Sequence, residues 1–199
     1  MFKPWLGDDW GHQDNALQGS RLLVLGESHY CDRAKPELVG LCEPDVTSYV
    51  VRQYAIEGSH RFFTGITQVI SGKPKWQMSR GDVAAIWHSI AFYNYVPVYV
   101  GTESRIRPGD RFALGRVPFE LVLEQLRPDA ILVCGYELWW WVLKGRPNGF
   151  NGDPASVPFQ KIGPAVAARM KHPSSAFSSV RWRPTLLELL SRAGILRQV

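Results

Sequence analysis

The stretch Arg21–Cys31, RLLVLGESHYC, decides the fold class. Leu22–Leu25 is a run of four aliphatic residues that stops at Gly26 and empties into Glu27-Ser28-His29-Tyr30. An uninterrupted apolar run bounded by a turn residue is the pattern of a strand buried on both faces, as strands inside parallel sheets are. Ligands of open α/β sheets bind outside the carboxyl ends of the strands. The loop therefore sets a carboxylate, a hydroxyl, an imidazole and a phenol where such a fold does its work. An ordinary strand-to-loop turn fits the same residues, so the rest of the chain has to decide.

Downstream, Thr47–Ile56 and Phe62–Ile70 read as helices separated by Gly58-Ser59-His60. Asp82–His88 reads as a short helix with Ser79 as its N-cap, leading into an aromatic and β-branched strand, Ser89–Val96. A long polar loop, Pro97–Arg116, carries Arg105, Arg107, Arg111 and Arg116; connections of that length are commonly functional. Helix Pro118–Leu126, strand Ala130–Cys134 and helix Tyr136–Leu143 follow, with Gly135 between the last two. Lys144–Gly163 is a Gly/Pro/Asn-rich loop, Ala165–Lys171 a further strand ending in His172-Pro173-Ser174-Ser175, and Pro184–Ala193 a closing amphipathic helix. Residues 1–20 read as an irregular lead-in, with Trp5 and Trp10 on the domain surface. Strands alternating with helices predict one α/β domain over residues 1–199. The expected architecture has three layers, a central, mainly parallel sheet with helices on both faces. Glu27–Tyr30, Asn94–Arg116, Gly135–Glu137 and His172–Phe177 then gather at the strand carboxyl ends.

The composition, 45% hydrophobic and 21% charged over 199 residues, suits a soluble domain with its own core. No apolar run reaches transmembrane length, and the first residues lack the apolar centre of a signal peptide. A cytoplasmic protein without a membrane partner is expected, acting as a monomer. Cys31, Cys42 and Cys134 show no paired spacing, so reduced thiols are expected. His29, Cys31, Cys42 and His60 contain no short ligand pair, and neither a metal nor another cofactor is expected. Residues 1–100 hold 9 Lys+Arg against 10 Asp+Glu, whereas residues 101–199 hold 14 against 8. The basic second half points to a polyanion-facing side.

Four motifs in order resemble the uracil-DNA glycosylase superfamily over about 150 residues, from Arg21 to Phe177. They are a strand ending in Gly26-Glu27, a strand ending in Phe92-Tyr93-Asn94, the strand after Pro128-Asp129 that ends at Gly135, and His172-Pro173-Ser174. Gly26-Glu27 is similar to the G-E-A-P-G branch, while Tyr30 falls where the G-Q-D-P-Y-H branch has its tyrosine. His60-Arg61-Phe62-Phe63-Thr64-Gly65 resembles the segment that supplies an aromatic under the base, which places Phe63 there. Arg107-Pro108-Gly109-Asp110-Arg111 is similar to the C-R-P-P-x-N-R loop but arrives several residues later. The departures are Ser28 in place of the water-activating aspartate, His29 in place of proline, and Ala176, followed by Phe177, in place of the duplex-wedging leucine. The four cysteines of the iron–sulfur branch are absent, so the resemblance implies no cluster.

The resemblance implies hydrolysis of an N-glycosidic bond in single- or double-stranded DNA during base excision repair, with uracil or a related base flipped into a pocket. Stacking on an aromatic is worth ~1–3 kcal/mol per base, which offsets the cost of flipping. Asn94 could read a lactam edge, since an amide both donates and accepts. His172 could donate to the carbonyl oxygen on which charge develops, and Glu27 could handle water. Gly26, Ser28, Tyr30 and Phe63 complete the expected base pocket. Arg107, Arg111, Lys171, Ser174, Ser175, Phe177 and Arg181 form the expected DNA contacts, with Arg105 and Arg183 beside them. Each residue has a plainer use: Glu27 accepting loop amides, Asn94 capping a loop, Phe63 filling core. Trp139-Trp140-Trp141 spreads around a helix, and at least one of the three belongs to the core.

Two other readings stay open on sequence. One is a non-catalytic DNA-binding module on the same framework, to which Ser28 in the aspartate position points. The other is a serine hydrolase with Ser28 as nucleophile and His172 as base, although no Gly-x-Ser-x-Gly elbow surrounds Ser28.

Overall fold

The computed structural model describes residues 1–103, 106–145 and 150–195. Six strands lie among them: β1 (Trp5–Leu6), β2 (Leu22–Gly26), β3 (Ala91–Asn94), β4 (Ala130–Cys134), β5 (Phe159–Ile162) and β6 (Ala165–Met170). They form one mixed sheet in the order β1-β3-β2-β4-β6-β5. The inner four strands are mutually parallel, and β1 and β5 flank them antiparallel. The helices are α1 (Val46–Val51), α2 (Arg61–Ser71), α3 (Arg80–His88), α4 (Arg116–Leu126), α5 (Tyr136–Lys144) and α6 (Ser179–Arg192).

The alternation of side chains along the strands builds the layers. Leu22 and Val24 pack with Ile66 of α2, Trp87 of α3 and Leu189 of α6 on one face. Leu23 and Leu25 pack with Phe119 of α4 and Trp139 of α5 on the other. In β4, Ala130, Leu132 and Cys134 join the first cluster, and Ile131 and Val133 the second. Both faces of the sheet are thus covered, which is why these strands are apolar throughout instead of alternating. No helix among the described residues is long and apolar enough to cross a membrane.

Helix α2 is an amphipathic helix in register with this core. Phe62, Phe63, Ile66, Val69 and Ile70 are its buried stripe. The His60 ring accepts from the Phe62 amide at its start, at 3.3 Å, and Gly72 closes it at φ 71°. Arg183 of α6 donates to the carbonyls of Val69 and Ile70, at 2.8 and 2.6 Å, so it caps α2. At α3, Ser79 and Asp82 form a reciprocal capping box.

Several boundaries depart from the sequence reading. The lead-in is not a surface appendage: Phe2 is buried, Trp5 is 4% exposed, and the Trp5 indole donates to the Trp87 carbonyl at 2.9 Å. Strand β5 lies inside the expected loop 144–163, joined to β6 by Gly163-Pro164 with Gly163 at φ 60°. A four-residue strand abutting Gly-Pro carries too little periodicity to stand out. Helix α6 begins at Ser179, five residues before Pro184, because Ser178 caps it through the Arg181 amide at 3.4 Å. Pro184 removes one donor near the helix start, opposite the exposed Val180, where water can serve the carbonyl. The stretch expected as one helix over 47–56 is α1 followed by a π-helical turn, Arg52–Ile56.

Candidate active site

Strand β2 sits between β3 and β4, and the chain leaves β2 and β4 in opposite directions across the sheet. Such a reversal opens a crevice at the strand carboxyl ends. Glu27 follows β2 at this point and Gly135 follows β4. A Cβ at Gly135, whose φ is 140°, would lie 2.6 Å from Glu27 Oε1, so glycine makes room for the carboxylate. A cleft of about 760 Å³ opens here, and Glu27, Asn94, Arg107 and His172 all line it.

The 26–31 loop is held by continued pairing with the chain after β3. The Tyr95 and Val96 amides donate to the Gly26 and Glu27 carbonyls at 3.0 Å, and the Val100 and Cys31 amides extend the ladder to 101. Ser28 and Tyr30 line the cleft, with the two hydroxyls 3.4 Å apart. Tyr30 also donates to the Ile106 carbonyl at 3.2 Å, and burial pushes its phenol up. The His29 ring is engaged within the fold: Nε2 is 3.0 Å from Thr47 Oγ1, and the ring packs edge-on against Phe2 at 4.8 Å. Burial drives the His29 imidazole down to about 3, so it stays neutral.

The Glu27 side chain is 8% exposed. Arg107 Nη1 lies 3.4 Å from Glu27 Oε2, and the same guanidinium pairs with Glu137. Burial raises the Glu27 carboxyl to about 7 despite the opposing pull of Arg107, with Glu137 adding to the rise. A carboxylate that titrates near neutrality in a cleft can accept a proton from water. His172 is held down to about 4, chiefly by burial, with Arg107 and His60 adding to it. Its Nδ1 accepts from the Ser174 amide at 3.3 Å, which assigns the proton to Nε2. It is therefore a neutral ring with one N–H to offer.

Asn94 is buried, yet its amide makes no hydrogen bond among the described residues. Gly26 is its register partner in β2, and any Cβ at Gly26 would run into Asn94 Oδ1. The missing side chain at 26 is what lets the amide lie across the strand ends. Because Asn94 lines the open cleft, its amide is within reach of water or a ligand there.

The aromatic wall differs in part from the sequence reading. Phe63 lines the cleft but is wedged edge-on against Trp87 and Phe92, at 5.4 and 5.6 Å. Its neighbour Phe62 packs against the His172 ring at 5.1 Å and against Phe92 at 5.9 Å. Phe62, Tyr54, His60 and Arg61 also line the cleft, and the sequence reading assigned none of them a role. Both phenylalanines fall on the buried stripe of α2, and spacing alone cannot rank them. Glu137 was missed as well, although an acid in the first turn after a strand-end glycine is a readable signal.

The expected DNA contacts divide. Ser174 and Ser175 line the cleft, while Lys171, beside His172, is half-buried. Arg107 is drawn inward by two carboxylates. Arg111 lies away from the cleft lining, with Nη1 3.5 Å from the Val100 carbonyl. Arg181 is exposed and lies over Trp182 at 6.0 Å. Phe177 packs against Gly65 of α2 instead of projecting outward. Arg105 lies outside the described residues. Trp139 is the core member of the tryptophan triplet, its indole donating to the Pro154 and Val157 carbonyls. The three cysteines are free thiols, and among the described residues no three His, Cys, Asp or Glu side chains converge as a metal site.

No protein-family model matches the chain, and no curated protein matches it in sequence.

Proposed function

We propose that this protein is a DNA glycosylase that flips uracil or a related damaged base into the cleft and hydrolyses its N-glycosidic bond. The observation that carries the reading is the meeting of Glu27, Asn94 and His172 in one cleft, with the Glu27 carboxyl titrating near neutrality and the His172 ring neutral. Asn94 has both hydrogen-bonding senses free for a lactam edge. As the bond from C1′ to the base nitrogen breaks, the electron pair leaves with the base, and His172 Nε2–H stabilises the resulting anion. Water adds to C1′, and Glu27 takes its proton while offsetting positive charge on the sugar. Glu27 gives the proton back to solvent, the base anion takes one up, and the products are an abasic sugar and the free base.

The second reading, a DNA-binding module without catalysis, draws on the ion pair that ties Glu27 to Arg107. A panel of damaged bases in single- and double-stranded oligonucleotides, scored for alkali-labile breaks, separates the two. Breaks that vanish in Glu27→Gln support the enzyme. DNA binding without breaks on any lesion supports the module.

A further inference from the structure

Glu137 stands in the first turn of α5, at the positive end of the helix, and pairs with Arg107. Arg107 reaches two carboxylates with different nitrogens: Nη2 donates to Glu137 Oε2, while Nη1 lies 3.4 Å from Glu27 Oε2. A charge-assisted hydrogen bond spans about 2.7–2.9 Å, so the guanidinium bonds the half-exposed acid and stands off the buried one. The backbone just before Arg107 is tied down, because the Tyr30 hydroxyl donates to the Ile106 carbonyl at 3.2 Å. The tip of the side chain is what the two acids share. Tyr30 and Cys134 also lie near Glu27, and His172 lies near Arg107. Burial raises the phenol and the thiol and lowers the imidazole, so all three stay neutral around pH 7.

We propose that Glu137 is a positioning residue, which takes Arg107 by Nη2 and so keeps the guanidinium from closing on Glu27. An end-on fork on one carboxylate uses both Nη atoms, and here one of them is spent on Glu137. A closed fork would occupy both Glu27 oxygens and hold the group ionised, which makes a weak base. With Arg107 shared, burial dominates and the carboxyl keeps its value of about 7. The use of this restraint rests on reading Glu27 as the water-handling base, but the restraint itself does not depend on catalysis.

The test is a carbon-13 NMR titration of the Glu27 carboxyl in the wild type, Glu137→Gln, Arg107→Gln and the double variant, with the signal assigned by its loss in Glu27→Gln. Glu137→Gln is expected to move the titration down by about one pH unit or more, as Arg107 closes on Glu27. In the Arg107→Gln background the same change should give roughly half that shift or less, because only the direct field of Glu137 is left to remove. Excision should follow: the acid limb of kcat/KM moves down with the carboxyl, and the plateau above it falls because the base is weaker. A merely structural Glu137 would lower the plateau and leave the limb in place. A titration that stays put or rises in Glu137→Gln overturns the proposal, the rise showing that Glu137 anchors Arg107 beside Glu27. Equal shifts in the two backgrounds overturn it too, since Glu137 would then act by its field alone. If the carboxyl titrates as expected in all four proteins while no lesion is ever excised, the restraint stands and the catalytic reading of the cleft falls.

Discussion

Arg107→Gln tests the electrostatics of the cleft most directly. Arg107 lies 3.4 Å from Glu27 Oε2 and opposes the rise that burial imposes on the carboxyl. Its side chain is 59% exposed, so its field is screened by water and the high-dielectric limit applies. At that distance Coulomb's law gives about 1 kcal/mol, which moves a titration by close to one pH unit. The sign follows from the chemistry. Arg107 favours ionised Glu27, so removing it raises the carboxyl further, and a base that must be ionised becomes available only at higher pH. The acid limb of kcat/KM, which reports the free enzyme, is expected near pH 7 in the wild type and about one unit higher in Arg107→Gln. Arg107→Lys keeps the charge and should hold the limb near its wild-type place. The assay is steady-state excision at substrate concentrations well below KM, across pH, on the best substrate of the lesion panel. The position of the limb is the readout, because a loss of level alone could come from a lost phosphate contact. A limb that stays put or moves down in Arg107→Gln would show that Glu27 is not the base.

Glu27→Gln keeps size and much of the hydrogen bonding but removes the charge; turnover should fall ~10²–10⁴-fold with folding preserved, and Ser28→Ala should be far milder. Asn94→Ala and His172→Ala should suppress excision much more than DNA affinity, since phosphate contacts supply most binding and these groups act on the base; equal losses in both assays would refute the assignment. Stability should follow pH through the same groups. Glu27 has a folded value raised from 4.5 to about 7, so it stabilises below pH 4.5 and loses that contribution as pH rises to 7, about 3 kcal/mol in all. His172 and His29 are depressed from 6.5 to about 4 and about 3, so their contribution is lost as pH falls through that window. The two histidines outweigh the one carboxylate between pH 4.5 and 6.5, and denaturant melts should show stability rising with pH there, more steeply in Glu27→Gln. Binding to duplex DNA should weaken with salt, by a slope near −0.9 for each phosphate contact made by exposed cations such as Arg181; a flat salt response would exclude this surface.

Much of this was legible in the chain because burial writes itself into apolar runs. Leu22–Leu25 and Ala130–Cys134 announce strands covered on both faces, and Gly26 and Gly135 announce where they stop. The residues at those stops had to fall at the sheet's carboxyl edge, so Glu27 and Asn94 were placed by topology alone. What was not legible depends on long-range pairing. Nothing in RPGDR says that Arg107 turns inward to two acids while Arg111 lies against a backbone carbonyl. Arg183 reads as one more surface cation, yet it closes α2 through contacts 113 and 114 residues distant in sequence. Short edge strands escape for a related reason, since β1 and β5 owe their existence to the neighbours that pair with them.

The three-dimensional arrangement also separates readings that the sequence left open. A serine nucleophile needs a base in hydrogen-bond reach. Among the described residues Ser28 Oγ hydrogen-bonds only the Tyr30 hydroxyl, and no imidazole bonds to it. His29, next in sequence, is committed to Thr47 deep in the fold, and His172 spends Nδ1 on the Ser174 amide. Ser28 therefore stands unactivated beside a carboxyl that burial has raised into the neutral range. Ser28 is an uncharged hydroxyl, and the adjacent Glu27 carries a carboxyl whose titration suits the proposed task. In the proposed reaction the water-handling role therefore goes to Glu27, and the hydroxyls of Ser28 and Tyr30 line the same cleft.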